Sequence, residues 1–356
     1  MQSRKFDSRV VLGSAAAGLV GALALSFASA GEALDPAEAQ ARAAWRANIE
    51  QIETPAGGCF HASYPNLFWE KAACRAGQPR VPLAPPRVKA GKLEVVGDGN
   101  DYAAGVTGLI SRTVGSFPTV AGVRTEESVG VAAFGDGGIL GPNEYTLQLN
   151  SEFSPNSAAY GCNEIPGCYV WQQFVYSPDY LCETPFCGEA AVFMQYWLIF
   201  ADGQPPDYTC PPGWYDIPPY YCYTNSGYAL PPDFPITDLA SMRLSAYAVA
   251  DGYDTAVLSH DREAYAVSAP DSMVDLATVW DQSEFNVLGN AGGSEAVFNP
   301  DSFILVQVAV TSGSWLPPRC LSNDGTTGET NNLNLGGCNA LPGPSPAILF
   351  EESNFY

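Results

Sequence analysis

From Leu93 onward the chain consists of short aromatic and β-branched runs separated by Gly, Asp, Asn and Pro. Such runs are typical of strands, and no long segment has the periodicity of a helix. The candidate strands are 93–97, 103–113, 128–134, 144–150, 169–176, 191–200, 242–250, 254–259, 263–268, 284–288, 303–311 and 346–351. They predict an all-β fold, an antiparallel two-sheet β-sandwich of jelly-roll type. We expect a surface loop over 321–337, which is rich in Gly, Asn and Thr.

The N-terminus has the pattern of a secretory signal peptide. Basic residues precede an apolar run over 10–27, and Ala28-Ser-Ala30 follows as a small-residue cleavage site. A membrane anchor is the alternative, but Gly and Ser within the run and the cleavable end favour a signal peptide over residues 1–30. We therefore expect a secreted protein, extracellular or periplasmic, with no membrane association after cleavage.

A second pattern covers residues 31–90. Asp35 and Pro36 form an N-cap with Pro at the first helical position, and apolar residues recur at helical spacing as far as Ile52. This predicts a short helix from about Asp35 to Glu53, followed by a Pro-rich stretch over 79–86 that favours extended chain. We expect a helical and Pro-rich N-terminal or propeptide-like segment over 31–90 and a β-sandwich domain over 91–356. Packing of the first segment on the second is the open alternative.

The charge of the chain disfavours two classes of partner. The formal net charge of the chain is −22, and residues 93–356 contain 31 acids against five arginines and no lysine. A surface with this balance repels phosphate groups, so binding of nucleic acid or of an anionic membrane is not expected. We expect a monomer.

The ten cysteines form five short intervals, and an even number behind a signal peptide predicts a disulfide framework. We expect nearest neighbours to pair: Cys59 with Cys74, Cys162 with Cys168, Cys182 with Cys187, Cys210 with Cys222, and Cys320 with Cys338. No Cys-x-x-Cys occurs, and His61 and His260 are isolated, so we expect no metal and no cofactor. Calcium binding by Asp98-Gly-Asn-Asp101 is a minor alternative to a plain turn.

The sequence leaves few options for catalysis. Neither histidine accompanies a nucleophile motif, which argues against a Ser or Cys triad. Asp281 and Glu284 are close in sequence but lack the alternating spacing of a glycosidase carboxylate pair, so glycoside hydrolysis stays a minor alternative. Glutamines among aromatic residues are costly to bury without hydrogen bonds, and a Glu can activate water while a Gln amide stabilises an oxyanion. A Glu with a Gln is therefore the remaining catalytic pair.

Three segments carry a family resemblance. The runs Trp171-Gln-Gln-Phe-Val-Tyr-Ser-Pro178, Val192-Phe-Met-Gln-Tyr-Trp197 with Ala201-Asp-Gly203, and Gly292-Gly-Ser-Glu295-Ala-Val resemble the neprosin-type glutamic peptidases. The fungal glutamic peptidases, the eqolisins, are similar at Leu147-Gln148-Leu149 and Ser283-Glu284-Phe285. The resemblance implies a concanavalin-like β-sandwich and a secreted peptidase that cleaves polypeptides at acidic pH.

The resemblance also implies site residues. It makes Glu295 the general base and Gln172 or Gln173 the oxyanion partner, with Gln148 and Glu284 as further candidates. Because neighbouring residues of a strand point to opposite faces, the choice between Gln172 and Gln173 decides which amide reaches the cleft. The expected cleft wall is Trp171, Gln195, Tyr196 and Trp197. The alternatives are a lectin-like protein whose aromatic cleft binds polysaccharide without chemistry, and an extracellular structural or interaction protein.

Overall fold

The computed structural model describes residues 35–76, 78–79, 87–89, 92–94, 101–132, 137–183, 186–322 and 329–355, with only the backbone described at 78–94 and 182–187. The predicted signal peptide and most of the Pro-rich stretch lie outside these residues, as does most of the calcium alternative. Within the described residues, no helix is long and apolar enough to cross a membrane.

The described residues form one α-helix, three short 3₁₀ helices and 25 strands. The α-helix α1 is Pro36–Ile49, and the 3₁₀ helices are Ile236–Ser241, Asp271–Met273 and Leu276–Thr278. The strands in chain order are β1 (Gly58–Ser63), β2 (Glu70–Ala72), β3 (Gln78–Pro79), β4 (Arg87–Lys89), β5 (Lys92–Glu94), β6 (Tyr102–Gly105), β7 (Arg112–Ala121), β8 (Glu126–Gly130), β9 (Gly141–Pro142), β10 (Tyr145–Ser151), β11 (Ser154–Pro155), β12 (Cys168–Glu183), β13 (Phe186–Phe200), β14 (Tyr215–Ile217), β15 (Tyr221–Asn225), β16 (Met242–Tyr247), β17 (Tyr253–His260), β18 (Glu263–Pro270), β19 (Gln282–Gly289), β20 (Ser294–Phe298), β21 (Phe303–Thr311), β22 (Arg319–Ser322), β23 (Thr330–Asn331), β24 (Asn334–Leu341) and β25 (Ala347–Ser353).

Two large antiparallel sheets confirm the predicted all-β sandwich. The nine-stranded sheet has the order β2-β1-β18-β17-β16-β7-β21-β25-β24. The ten-stranded sheet has the order β14-β15-β13-β12-β10-β19-β6-β22, with β3 and β11 also paired to β12. A four-stranded sheet of order β23-β20-β8-β9 contains a parallel pair, β20 with β23.

The main hydrophobic core lies between the two large sheets. Leu147, Phe174 and Phe285 of the ten-stranded sheet and Leu244 and Val308 of the nine-stranded sheet are among its buried members. Phe285 packs against Gly115 of β7, where a Cβ atom would lie 2.1 Å from the ring. This close approach fixes the position of β19 over the opposite sheet, and β19 carries one of the predicted catalytic residues.

The predicted N-terminal segment contributes to the sandwich. The helix begins after its N-cap Asp35, whose Oδ1 accepts a hydrogen bond from the backbone N–H of Ala37, and it ends four residues earlier than predicted. β1 pairs along its length with β18 and lies between it and the edge strand β2 of the nine-stranded sheet. Glu50, next to the helix end, is fully buried and accepts hydrogen bonds from Arg243 and Ser259. The strand pairing and the hydrogen bonds of Glu50 thus place parts of residues 36–72 against the nine-stranded sheet.

Four of the predicted disulfides are confirmed: Cys59–Cys74, Cys162–Cys168, Cys210–Cys222 and Cys320–Cys338. Cys182 and Cys187 lie opposite each other in the register of β12 and β13, and their side chains are outside the described residues. Since β22 belongs to the ten-stranded sheet and β24 to the nine-stranded sheet, Cys320–Cys338 connects the two sheets covalently.

Two details of the sequence prediction are wrong. The predicted strand 103–113 is divided into β6 and β7, because the chain turns between them at Gly108, whose φ of +110° is accessible mainly to glycine. The predicted surface loop is structured from Glu329 onward, where Thr330 and Asn331 form the buried strand β23. Asn331 donates hydrogen bonds to Val287 O and to Glu352, so these polar residues have partners inside the protein.

Candidate functional site

Polar residues line the face of the ten-stranded sheet that points away from the main core, called here the outer face. In β10, Tyr145, Leu147 and Leu149 belong to the main core. Side chains alternate along a strand, so Gln148 and Asn150 lie on the outer face. Burial of these amides requires hydrogen bonds, and it is their partners that define the candidate site.

Three polar residues are aligned across β12, β10 and β19. They are the predicted site residues Gln173 and Glu284, with Asn150 between them. Asn150 is the register partner of Gln173 on one side and of Glu284 on the other. Partners in an antiparallel pair have Cα atoms about 4.5–5.5 Å apart, so the Gln173 and Glu284 side chains flank that of Asn150. Glu284 is 2 % exposed and accepts a long hydrogen bond of 3.4 Å from Asn150 Nδ2 at Oε2. The register thus brings together a Gln and a Glu that are separated by more than a hundred residues in sequence.

A chain of hydrogen bonds fixes the amides of the outer face. Gln173 Nε2 donates to Gln148 Oε1 over 3.1 Å. Trp197 Nε1 donates both to Gln173 Oε1, over 3.1 Å, and to Gln195 Oε1, over 2.9 Å. Gln195 Nε2 in turn donates to Asn225 Oδ1 over 2.7 Å. Because the indole N–H can only donate, it sets which end of each glutamine amide is the oxygen.

A second carboxylate reaches this chain from outside the sheet. Gln148 Nε2 donates to Glu329 Oε2 over 3.2 Å, and Glu329 is 1 % exposed. Sequence analysis missed Glu329 because it lies in a stretch that has the composition of a loop, immediately before β23. No local pattern marked it, since its contact with β10 depends on long-range packing.

Gln172 and Tyr196 lie on the other face of the sheet, toward the main core. Tyr196 is a fully buried member of that core. Gln172 Nε2 donates to Asp254 Oδ2 over 2.9 Å, and both side chains are fully buried. Burial and the nearby carboxyl of Asp271 raise the pKa of Asp254 well above its usual range. The structure therefore separates Gln172 from Gln173, and only Gln173 reaches the outer face.

Glu295 lies in β20 of the four-stranded sheet rather than in the ten-stranded sheet. Its neighbours Ser294 and Ala296 are buried, and Ala296 belongs to the main core, whereas Glu295 is partly exposed on the opposite face of the strand. Partial burial raises the pKa of Glu295 above its ordinary value. The structure does not align Glu295 with the glutamines of the outer face.

Aromatic side chains extend the outer face toward one edge of the sheet. Trp171, Trp197, Tyr223 and Tyr215 are consecutive register partners across β12, β13, β15 and β14. Trp197 stacks on Tyr223, and Tyr223 on Tyr215, each with ring centroids 4.9 Å apart. Trp171 and Trp197 are buried, while Tyr215 at the end of the row is 42 % exposed.

The outer face is covered in this structure. Gln148, Gln173 and Gln195 are at most 1 % exposed. Ile139 and Ala291 pack in the same hydrophobic cluster as Trp171 and Trp197, and the backbone N–H of Ile139 donates to Asn290 O over 2.7 Å. A large ligand therefore requires the segments around Ile139 and Ala291 to move.

A group with the residue types of metal ligands occurs elsewhere in the described residues. Ligand atoms of Cys210, Asp216 and Cys222 lie within 4.8 Å of one another. The two sulfur atoms are joined in a disulfide bond and offer no thiolate, so these residues do not form a metal centre.

Comparisons with known proteins give distant structural matches. No family model matches the chain, and no curated protein matches it. The chain is similar to the structure of SCP-B, a member of the eqolisin family of peptidases, in a complex with the tripeptide Ala-Ile-His, at 13 % identity over 71 % of this chain and 97 % of that chain, with a TM-score of 0.27. It is also similar to scytalido-glutamic peptidase with a peptide-based transition state analogue, at 12 % identity over 71 % and 98 %, again with a TM-score of 0.27. At such identities and TM-scores these matches carry no argument about the family or the site of this chain.

Proposed function

We propose that the protein is a secreted, monomeric hydrolase of the glutamic-peptidase type that cleaves polypeptides at acidic pH. One observation carries the proposal: Gln173, Asn150 and Glu284 are in register across three adjacent strands, so an amide and a carboxylate converge on one buried face. In this proposal Glu284 is the general base and Gln173 donates to the oxyanion. In this proposal they take the roles expected of Glu295, which lies in the four-stranded sheet, and of Gln172, which faces the main core.

The geometry suits activation of water. Glu284 takes a proton from a water molecule, whose oxygen attacks the carbonyl carbon of the peptide bond. The carbonyl oxygen becomes negatively charged and accepts a hydrogen bond from Gln173 Nε2. That nitrogen carries two N–H groups. One donates to Gln148 Oε1, and the other remains for the substrate. The proton held by Glu284 then passes to the leaving nitrogen as the C–N bond breaks.

Trp197 gives this amide its direction. Its indole N–H holds Gln173 Oε1, so the NH₂ end of Gln173 points toward Gln148 and the strand that carries Asn150. A pre-oriented donor needs no reorganisation when charge develops on the substrate, and this is the main source of oxyanion stabilisation.

Acidic conditions suit the same interior. Burial raises the pKa of Glu352 and of Glu126 to about 8 each, so both are neutral in acid.

Gln148 and Glu329 form a second amide and carboxylate pair on the outer face, and they are the next candidates for the catalytic roles.

The alternative is binding of polysaccharide without chemistry. The exposed ring of Tyr215 at the end of the aromatic row favours it, because aromatic rings offer apolar faces to sugars. This alternative gives no role to the alignment of Gln173 with Glu284.

The test is hydrolysis of an unfolded protein substrate between acidic and neutral pH. We expect cleavage by the wild type at acidic pH and a loss of at least about 10²-fold in kcat for Glu284→Gln. Asp281→Asn is the matched control, since Asp281 is exposed three residues earlier, and it should cleave like the wild type. Binding of a polysaccharide by a folded wild type that cleaves nothing would favour the alternative.

A further inference from the structure

Two polar atoms next to the proposed catalytic pair have no hydrogen-bond partner among the described residues. They are Asn150 Oδ1 and Trp171 Nε1. Asn150 is fully buried and Trp171 is 1 % exposed. Native proteins leave few buried polar atoms unpaired, and such atoms need an explanation, for which a bound ligand is one.

The chemistry of each group and its neighbours determines whether each atom donates or accepts a hydrogen bond. Asn150 Nδ2 donates to Glu284, so the amide oxygen of Asn150 is the atom that lacks a partner, and it can only accept. The indole of Trp171 is packed by Phe153 and Trp197, with ring centroids 5.1 and 5.9 Å away, and its N–H can only donate. The site therefore offers one acceptor and one donor.

The two side chains lie near each other on the outer face. Asn150 is the register partner of Gln173, and Trp171 is two residues before Gln173 on the same face of β12. Such diagonal neighbours in antiparallel strands are separated by about 7–8 Å between Cα atoms, within the reach of long side chains. One ligand can therefore contact both.

We propose that Asn150 Oδ1 and Trp171 Nε1 form a subsite for the main chain of a bound polypeptide. A peptide segment presents one N–H and one C=O per residue whatever its side chains, and these match one acceptor and one donor. The apolar rings of Trp197 and Phe153 beside the subsite exclude water and strengthen both hydrogen bonds. That the subsite lies beside the scissile bond rests on the proposed function. That the subsite binds the main chain of a peptide does not depend on it.

The subsite has a consequence for specificity. Recognition through the main chain is independent of side-chain identity, so the neighbouring residue of the substrate is selected weakly. Asn150 also orients Glu284 through its Nδ2 atom and is thus a positioning residue for the base.

The test uses the Glu284→Gln protein labelled with ¹⁵N at tryptophan and a capped hexa-alanine peptide. We expect the indole N–H resonance of Trp171 to shift as peptide is added, and Trp171→Phe to weaken binding about tenfold, the value of one hydrogen bond. Trp280→Phe is the matched control, because its indole N–H donates to Gln282 O and should have no effect on binding. A fully N-methylated peptide, which has no N–H for Asn150, should also bind about tenfold more weakly.

The outcomes separate the two proposals. In the otherwise wild-type enzyme, Trp171→Phe should raise KM about tenfold and leave kcat within about twofold, because the contact is made equally before and during reaction. Peptide binding with a shifted Trp171 resonance but no cleavage by the wild type would retain the subsite and refute the peptidase. No binding, or binding that leaves the Trp171 resonance and the Trp171→Phe affinity unchanged, would overturn the subsite even if the enzyme is active.

Discussion

Gln172 donates a hydrogen bond from Nε2 to Asp254 Oδ2 over 2.9 Å inside the sandwich, where neither side chain reaches solvent. Among the described residues, the same pairing of an amide with a buried carboxyl group recurs for Gln148 with Glu329, Asn150 with Glu284, Asn290 with Glu144, and both Asn286 and Asn331 with Glu352. An amide donates to a carboxylate and equally to the carbonyl oxygen of a protonated acid. Amide donors thus hold these buried acids whether or not they are protonated, whereas the buried Glu50 pairs with Arg243.

The first prediction is that the protein is more stable in acid than at neutral pH. Burial raises the pKa of Glu352 and Glu126 to about 8 and that of Glu152 to about 7 in the folded protein, against 4.5 in the unfolded chain. The folded state therefore binds protons more tightly. The contribution of these three groups to stability is fully present below about pH 4 and is lost as the pH rises through 8.

Urea unfolding at pH 4 and pH 8 checks this. A tenfold difference in proton affinity between the folded and unfolded states corresponds to about 1.4 kcal/mol. Each of the three groups differs by more than tenfold, so the free energy of unfolding should fall by at least about 3 kcal/mol between the two pH values. A maximum of stability near neutral pH would contradict the raised pKa values.

The second prediction concerns the carboxyl group of Asp254. Asp254→Asn removes a buried titrating group and retains an oxygen that can accept from Gln172. Since burial and the carboxyl of Asp271 raise the pKa of Asp254, the variant should gain stability relative to the wild type at pH 8 and show a weaker dependence on pH. Asp251→Asn, in an exposed turn nearby, is the control and should follow the wild-type profile. Parallel profiles for Asp254→Asn and wild type would refute the role of this group.

The sequence predicted the architecture because its signals are local. Alternating runs indicated the strands and Asp35-Pro36 indicated the start of the helix. Short cysteine intervals predicted the four confirmed disulfides. Each of these depends on residues close in the chain, where spacing and turn chemistry decide the structure.

The candidate site was less predictable because it depends on register. Gln172 and Gln173 are adjacent, and only the pairing of β12 with β10 shows that Gln173 shares a face with Gln148 while Gln172 meets Asp254. Glu329 and Asn150 were missed for the same reason. Their partners are far away in sequence, and no pattern in their own segments marks them.

The third prediction compares two disulfides. Replacing Cys320 and Cys338 by Ser should cost about 3 kcal/mol, and replacing Cys162 and Cys168 about 2 kcal/mol, because the bonds close sequence separations of 18 and 6 residues. Loss of the link between the two sheets should add to the first value. Chemical denaturation of both double variants measures the difference. A larger cost for the Cys162 and Cys168 pair would show that the connection between sheets contributes little.

The fourth prediction separates the two adjacent glutamines. Gln173→Leu removes the proposed oxyanion donor and should lower kcat by about 10²–10³-fold, with the fold retained. Gln172→Leu leaves Asp254 without its amide donor, so it should cost about 1–3 kcal/mol of stability and leave kcat near the wild-type value. Steady-state kinetics and thermal unfolding of both variants show which glutamine lies on the outer face and which faces the main core. The reverse pattern would place Gln172 in the cleft.

The central claim is that the register of β12, β10 and β19 assembles a catalytic Gln and Glu, and the most direct measurement compares two glutamate variants. Initial rates of hydrolysis of an unfolded protein at acidic pH are measured for wild type, Glu284→Gln and Glu295→Gln, with circular dichroism to establish folding. Glu284 is buried beside Asn150, whereas Glu295 lies in another sheet. We predict that Glu284→Gln loses at least about 10²-fold in kcat and that Glu295→Gln retains wild-type activity. Retained activity in Glu284→Gln together with its loss in Glu295→Gln would contradict the account.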